Sequence, residues 1–257
     1  MGETRTLAGR RALVTGASRG IGAAIARRLA EGGADVVLTA RSADPIASLA
    51  AELGGLGIRA LAISADMTDR DSLAALMARV ADDMGGLDIL VNNAGALPEA
   101  KPAGEVTWTE WDSTLGLNLS APWYLSCRAR ELMTEGGVIV NNASTASYYP
   151  SRGLVAYNVS KSALVMLTRV LALEWARDGI RVVGVAPGKI DTDLVQPILA
   201  WAQNRSLALN PMRRLGGDTE VADLVAFLAS DEAGYITGVT IPIDGGELLT
   251  AGSEPGR

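Results

Sequence analysis

Tyr157 and Lys161 stand four residues apart in Tyr157-Asn158-Val159-Ser160-Lys161, inside a stretch with helical spacing of apolar residues. On a helix, positions i and i+4 share a face, so phenol and ammonium point the same way. The chain holds three lysines (Lys101, Lys161, Lys189) against twenty arginines, so a lysine at this spacing is not generic surface. A nearby ammonium favours phenolate. Moving a tyrosine from a pKa of about 10 to about 7 takes roughly 4 kcal/mol of differential stabilisation. Such a tyrosine exchanges a proton with a carbonyl or alcohol oxygen while hydride moves to or from carbon. Ser144 lies thirteen residues earlier, just past an apolar run, where a hydroxyl would hold that oxygen against Tyr157. Thr145 and Ser147 are neighbours with the same chemistry.

A second constellation handles phosphate. Thr15-Gly16-Ala17-Ser18-Arg19-Gly20-Ile21-Gly22 sits where a short apolar strand turns into a helix. Gly16 suits backbone angles closed to other residues, Gly20 lets a phosphate approach the main chain, and Gly22 lets the helix pack on the sheet. The helix N-terminus offers free N–H groups and partial positive charge to a pyrophosphate. The second strand ends in Ala40-Arg41, where a site preferring NAD usually carries Asp or Glu for the ribose hydroxyls. Arg41 and Arg19 are placed to take a 2′-phosphate. Charge-assisted hydrogen bonds are worth roughly 1.5–3 kcal/mol each, so the expected cofactor is NADP(H). Asp66, after the third strand, is open to two readings: an acceptor for an adenine amino group, or a turn residue. Asn92-Asn93-Ala94-Gly95 follows the fourth strand and is by itself a turn signal.

These residues need a frame that gathers strand ends. Apolar runs alternate with helical periodicity from end to end: Ala12–Thr15, Asp35–Ala40, Ile58–Ser64, Leu87–Asn92, Gly137–Asn142, Ile180–Val185 and Val239–Ile243 read as strands. Ile21–Glu31, Ala47–Leu53, Asp69–Met84, Trp108–Glu135 (bent at Pro122), Val155–Asp178 and Glu220–Ser230 read as helices, with Asp69 as a cap. Continuous Val/Ile/Leu strands imply burial on both faces. The fold class is therefore α/β, a single Rossmann-type doubly wound parallel sheet of about seven strands. No linker divides the chain, so 1–257 reads as one dinucleotide-binding and catalytic domain, with a substrate loop or lid at about 189–217 and a loose tail at 251–257. In open parallel sheets ligands bind beyond the carboxyl ends of the strands, where the glycine turn, Asn93, Ser144 and the 187–192 loop all fall.

Composition narrows the remaining classes. With 257 residues, 48% hydrophobic and 20% charged, the chain can build a large core. A net charge of −6 with no basic run longer than two residues speaks against nucleic-acid and membrane partners. There is no histidine, which removes Ser-His and Cys-His triads and the usual zinc sites, so no metal is expected. The single cysteine, Cys127, reads as an ordinary helix thiol. Met1 to Arg11 has no apolar core like that of a signal peptide, and a cytoplasmic location is expected.

Taken together, T-G-A-S-R-G-I-G at 15–22, N-N-A-G at 92–95, Asn118 within Leu117-Asn118-Leu119, Ser144, Y-N-V-S-K at 157–161, Pro187-Gly188 and Asp244-Gly245-Gly246 resemble the short-chain dehydrogenase/reductase family. The resemblance is to its compact single-domain branch, notably 3-oxoacyl-thioester reductases, and runs from about Ala8 to Gly246. It implies a catalytic tetrad of Asn118, Ser144, Tyr157 and Lys161. Tyr157 would be the acid/base, Lys161 would lower its pKa and hold the nicotinamide ribose, Ser144 would orient the carbonyl, and Asn118 would hold a water leading from Lys161. The implied cofactor set is Gly16, Ser18, Arg19, Gly20, Ile21, Gly22, Arg41, Asp66, Met67, Asn93, Ala94, Gly95, Tyr157, Lys161, Pro187, Gly188, Ile190 and Thr192. Alanine at 143 and the missing asparagine before Ala186-Pro187 depart from the family pattern. The family implies a homotetramer or homodimer and a small carbonyl or alcohol substrate. Tyr148, Tyr149, Leu154, Leu194, Ile198, Leu199 and Trp201 would make its pocket apolar. The expected reaction is NADP(H)-dependent reduction of a ketone; oxidative alcohol or sugar dehydrogenation, and NADP(H) binding without turnover, are the alternatives.

Overall fold

The computed structural model describes residues 6–192 and 210–250. In chain order the elements are β1 (Arg11–Thr15), α1 (Gly20–Glu31), β2 (Asp35–Ala40), α2 (Ala43–Gly54), β3 (Ala60–Ser64), α3 (Arg70–Met84), β4 (Ile89–Asn92), α4 (Trp108–Leu115), α5 (Ala121–Leu132), β5 (Gly137–Asn142), α6 (Val155–Trp175), β6 (Ile180–Pro187), α7 (Asp218–Ala229), β7 (Thr240–Ile243) and α8 (Glu247–Thr250). The strands form one seven-stranded sheet in the order β3-β2-β1-β4-β5-β6-β7. Every pairing is parallel, as the unbroken apolar strands predict.

Strand alternation divides the core into two layers. Ala12, Val14, Val36, Leu38, Ile89, Val91, Val138, Val140, Val183 and Val185 pack with α1, α2 and α7 on one face. Leu13, Val37, Leu90, Ile139 and Val182 pack with α3, α5 and α6 on the other. Small residues let α1 lie close: Gly22, Ala23, Ala24 and Ala26 are all buried. The chain leaves β1 in one direction for β2 and β3 and returns on the other side for β4. A crevice therefore opens between the carboxyl ends of β1 and β4.

Element ends follow local chemistry. Asp69 caps α3 by accepting from the N–H groups of Asp71 and Ser72, and Gly85 ends that helix at φ 70°. Thr107 and Glu110 form a reciprocal capping box at α4.

One expectation is corrected. The stretch 108–135 is not one helix bent at Pro122: α4 stops at Leu115, Gly116–Ser120 is a π-helical segment, and α5 starts at Ala121. Pro122 has no N–H for the carbonyl of residue 118, so the hydrogen-bond ladder resets just upstream, with Ala121 N–H donating to Gly116 O. Smaller differences lie at ends. The α2 helix runs Ala43–Gly54, β6 extends to Pro187, and α6 closes in a 3₁₀ turn at Ala176–Asp178. The lid expected at about 189–217 is described at both ends only, and 251–257 lies outside the described residues. The two ends of the loop are tied: Gly216 N donates to Lys189 O at 3.0 Å, and Asp191 N to Gly216 O at 2.9 Å.

Candidate active site

The crevice between β1 and β4 is floored by the glycine turn. Gly16 (φ 67°) and Gly20 (φ 52°) occupy left-handed backbone. A Cβ on Gly22 would lie 2.2 Å from Gly16 O and 2.5 Å from Asn93 Nδ2, so only glycine lets α1 start there. Arg19 precedes α1 in extended conformation without a side-chain cap, and the first turn carries no acidic residue. The first N–H groups of α1 thus keep their capacity for an anion. Thr192 Cγ2 would touch a Cβ on Gly20 at 3.3 Å, so the loop after β6 meets the phosphate turn. Within that loop Ile190 is buried, and Thr192 Oγ1 donates to Ile190 O at 3.3 Å.

Asn93 ties the crevice together. Its Nδ2 donates to Thr15 O (2.9 Å) and Gly16 O (3.3 Å), and its Oδ1 accepts from Asn142 Nδ2 (2.8 Å). Thr15 Oγ1 takes the N–H groups of Asn93 and Ala94, each at 2.9 Å. Gly95 leaves room that a methyl would fill: a Cβ there would stand 3.2 Å from Asn118 Oδ1 and 3.5 Å from Lys161 Nζ.

Past the end of β2 and just before α1, Arg41 and Arg19 are both exposed. Ser64 Oγ donates to Arg41 O at 2.8 Å, fixing the chain just past β2. Of the two readings of Asp66, the turn is seen: its Oδ1 accepts from Thr68 N and Thr68 Oγ1, both at 2.8 Å. Those bonds hold its carboxyl below the usual range, with Arg41 adding to the effect. Met67 points its side chain into the core, leaving only its main chain to a ligand.

The four residues named as a tetrad lie around one spot. The π segment carries Asn118, which is 1% exposed. Its Oδ1 accepts from Ala96 N, while its Nδ2 donates to Ala96 O (3.1 Å) and Ser160 Oγ (3.2 Å). Its amide therefore braces the segment after Gly95 against α6. Lys161 is buried, its Nζ 5.9 Å from the centre of the Tyr157 ring and donating to Asn142 O at 2.7 Å. Burial lowers its pKa to about 8. Ser144 begins the turn after β5, its Oγ accepting from Ala146 N at 3.2 Å, and lies beside Tyr157. Its rivals are engaged elsewhere. Ser147 Oγ donates to Lys161 O at 2.9 Å, and Thr145 is buried beside Tyr149.

The expected lowering of the Tyr157 pKa is not a property of the protein by itself. Burial pushes the phenol up, and the Ser144 hydroxyl only opposes that. The ammonium that would stabilise phenolate faces a main-chain carbonyl instead.

Sequence reasoning missed Asn142. Its carbonyl holds Lys161 and its side chain holds Asn93, so it links the two halves of the site. A role played half by a main-chain oxygen leaves no trace in residue type. Asn158 was visible only as a motif letter. Its Nδ2 binds Ala146 O (2.8 Å) and Tyr149 O (3.0 Å), seating the post-β5 loop on α6.

A family profile described as Enoyl-(Acyl carrier protein) reductase matches residues 16–247. The chain belongs to the short-chain dehydrogenase/reductase family. It is 40% identical over 250 residues to the cis-4-hydroxycyclohexanecarboxylate dehydrogenase of Sinomonas cyclohexanicum, covering 96% of this chain and 98% of that one. To the 3-oxoacyl-(acyl-carrier-protein) reductase of Staphylococcus aureus it is 37% identical over 241 residues, covering 93% and 98%. A solved short chain dehydrogenase from Burkholderia cenocepacia in complex with NADP matches with a TM-score of 0.88 and 41% identity, covering 94% of this chain and 99% of that one. As a short-chain dehydrogenase/reductase the chain is an oxidoreductase, and its glycine cradle and uncapped helix start fit a dinucleotide.

Among the described residues, no group of three or more His, Cys, Asp or Glu is placed to hold a metal ion, and no helix is long and apolar enough to cross a membrane. Cys127 is half-buried, with burial pushing its thiol up.

Proposed function

We propose that this chain is an NADP(H)-dependent reductase of ketones, with Tyr157 as general acid. One observation carries the reading: the Ser144 hydroxyl lies beside the Tyr157 phenol, with Lys161 buried next to that ring, at the carboxyl ends of the central strands. Burial keeps the Tyr157 phenol protonated, which is the form that donates to a carbonyl oxygen. Ser144 holds that oxygen, and Asn118 keeps the Gly95–Ala96 segment at its distance. Lys161 sits where its charge favours the phenolate left after donation. The bound dinucleotide supplies the hydride. Gly16, Ser18, Gly20, Ile21 and Gly22 would hold its pyrophosphate, and Arg19 and Arg41 its 2′-phosphate. Asp66, Met67, Asn93, Ala94 and Gly95 would flank its adenosine and ribose, with Pro187, Gly188, Ile190 and Thr192 at the nicotinamide. The absence of a carboxylate after β2 and the NADP complex of the Burkholderia relative support NADP(H).

The substrate is a 3-oxoacyl-type or other apolar ketone on this reading, supported by the Staphylococcus relative's name and by Tyr149 and Leu154 in the wall. Leu194, Ile198, Leu199 and Trp201, named for the same wall, lie outside the described residues. The oxidative alternative is supported by the Sinomonas relative, named for a hydroxyl substrate. We place the working form as a homodimer or homotetramer of single-domain chains. Val159, Met166, Val170 and Leu173 are exposed along α6, with Leu173 83% accessible, and Trp123 is exposed on α5. A cytoplasmic location accords with this chemistry.

The test is a fluorescence titration with NADPH and NADH, followed by turnover of Tyr157→Phe on a carbonyl panel. The expected result is tighter NADPH binding and a loss of turnover of roughly 10²–10⁴-fold with cofactor affinity kept. Full activity in Tyr157→Phe would refute the assignment.

A further inference from the structure

Glu247, the first residue of α8, is a buried carboxylate with a side-chain exposure of 7%. Its Oε1 accepts from the Lys189 ammonium and from the Tyr149 hydroxyl. Its Oε2 has no hydrogen-bond partner among the described residues, and a Cβ on Gly188 would come within 2.8 Å of it. A carboxylate leaves water at high cost, and the two donors offset that cost. Burial and the adjacent carboxylate push the Tyr149 phenol up, so it stays a donor to Glu247.

The three partners come from three segments. Tyr149 lies between Ser144 and Tyr157, Lys189 follows Gly188, and Glu247 follows β7. The Tyr149 carbonyl is held by Asn158 of α6 at 3.0 Å. The Lys189 main chain is paired with Gly216, where the 189–217 loop returns. A polar chain therefore runs Tyr149–Glu247–Lys189, from the segment after Ser144 to the start of the loop after β6.

We infer that Glu247 is a positioning residue for the substrate: by clamping Tyr149, in the segment that follows Ser144, to Lys189, just past β6, it fixes the spacing of those two segments. The inference rests on the reductase reading above. Glu247 touches neither the Tyr157 hydroxyl nor the glycine turn at 16–22, and because its Oε2 lies against Gly188, NADPH affinity is read beside KM to separate substrate grip from cofactor binding.

The experiment compares wild type, Glu247→Gln, Lys189→Met and the double variant, each loaded with NADPH. The amide of Glu247→Gln keeps the shape and removes the charge. The expected result is a rise in ketone KM of about tenfold, with kcat within threefold and NADPH affinity unchanged. The double variant should add little, because both changes open one clamp. An unchanged KM with only a lower melting temperature would overturn the inference, as would a fall in kcat at constant KM. A crystal structure of Glu247→Gln with NADPH gives a readout free of turnover. Tyr149 and Lys189 should separate by more than about 1 Å while Ser144 and Tyr157 stay in place; an unmoved pair would overturn the clamp. Should wild type bind NADPH yet reduce no ketone, the reductase reading falls, and the crystallographic comparison alone decides the clamp.

Discussion

Lys161→Met should remove a specific pH dependence of stability. In the folded protein burial lowers the Lys161 pKa from 10.5 to about 8. The unfolded chain keeps the ordinary value, so between these limits it binds a proton that the folded state has released. Stability therefore rises with pH through this window and is lowest below it. Evaluated with these two pKa values, the penalty is about 3 kcal/mol at pH 7 and about 1 kcal/mol at pH 9.5. Wild type should gain about 2 kcal/mol from this group over that interval. In Lys161→Met the gain vanishes. The variant also strands Asn142 O, which loses a 2.7 Å donor, at a cost of about 1–3 kcal/mol. That cost does not vary with pH and cancels in the slope, as do the other titrating groups shared by both proteins. Urea denaturation of both proteins at pH 7, 8, 8.75 and 9.5 measures the difference. Equal gains in the two proteins, within about 0.5 kcal/mol, would refute the claim that Lys161 is buried with a depressed pKa.

Three further outcomes follow from the same structure. Gly22→Ala drives a methyl to 2.2 Å from Gly16 O, a backbone atom with nowhere to go, so stability should fall by about 1–3 kcal/mol and dinucleotide affinity with it, read by thermal melting with and without NADPH. Arg41→Ala should weaken NADPH binding by roughly 10–150-fold and leave NADH binding alone, since one charge-assisted contact is worth about 1.5–3 kcal/mol; an equal effect on both cofactors would mean that Arg41 does not read the phosphate. At Asp88 burial pushes the carboxyl up, but Arg11 outweighs this through its main-chain N–H and Nε at 2.8 Å each and Nη2 at 3.1 Å, leaving the pKa below the usual value. Its contribution is present above the ordinary carboxylate pKa and lost as pH falls through the lowered one, so the melting-temperature gap between wild type and Asp88→Asn should close in acid.

The sequence by itself determined the sheet, because strands buried on both faces need consecutive apolar residues, and β1, β2, β4, β5 and β6 carry them at Ala12–Val14, Val36–Leu38, Ile89–Val91, Val138–Val140 and Val182–Val183. It also determined the phosphate turn, since Gly16, Gly20 and Gly22 stand where a side chain would collide or the backbone would strain. Ser144, Tyr157 and Lys161 were legible because side-chain chemistry and spacing survive in one dimension, whereas Asn118 stood out only through the family resemblance. Tertiary structure alone decided what depends on distance. It engaged the Ser147 hydroxyl with the Lys161 carbonyl and tied the Asp66 carboxylate to Thr68. It replaced an expected single helix by a π-helical step that turns Asn118 inward, and it brought Asn142 to Lys161 and Glu247 to Lys189 and Tyr149 from distant segments. The direction of the Tyr157 pKa belongs to this second group. Desolvation and the aim of an ammonium are properties of the packed chain, and no spacing along the sequence encodes them.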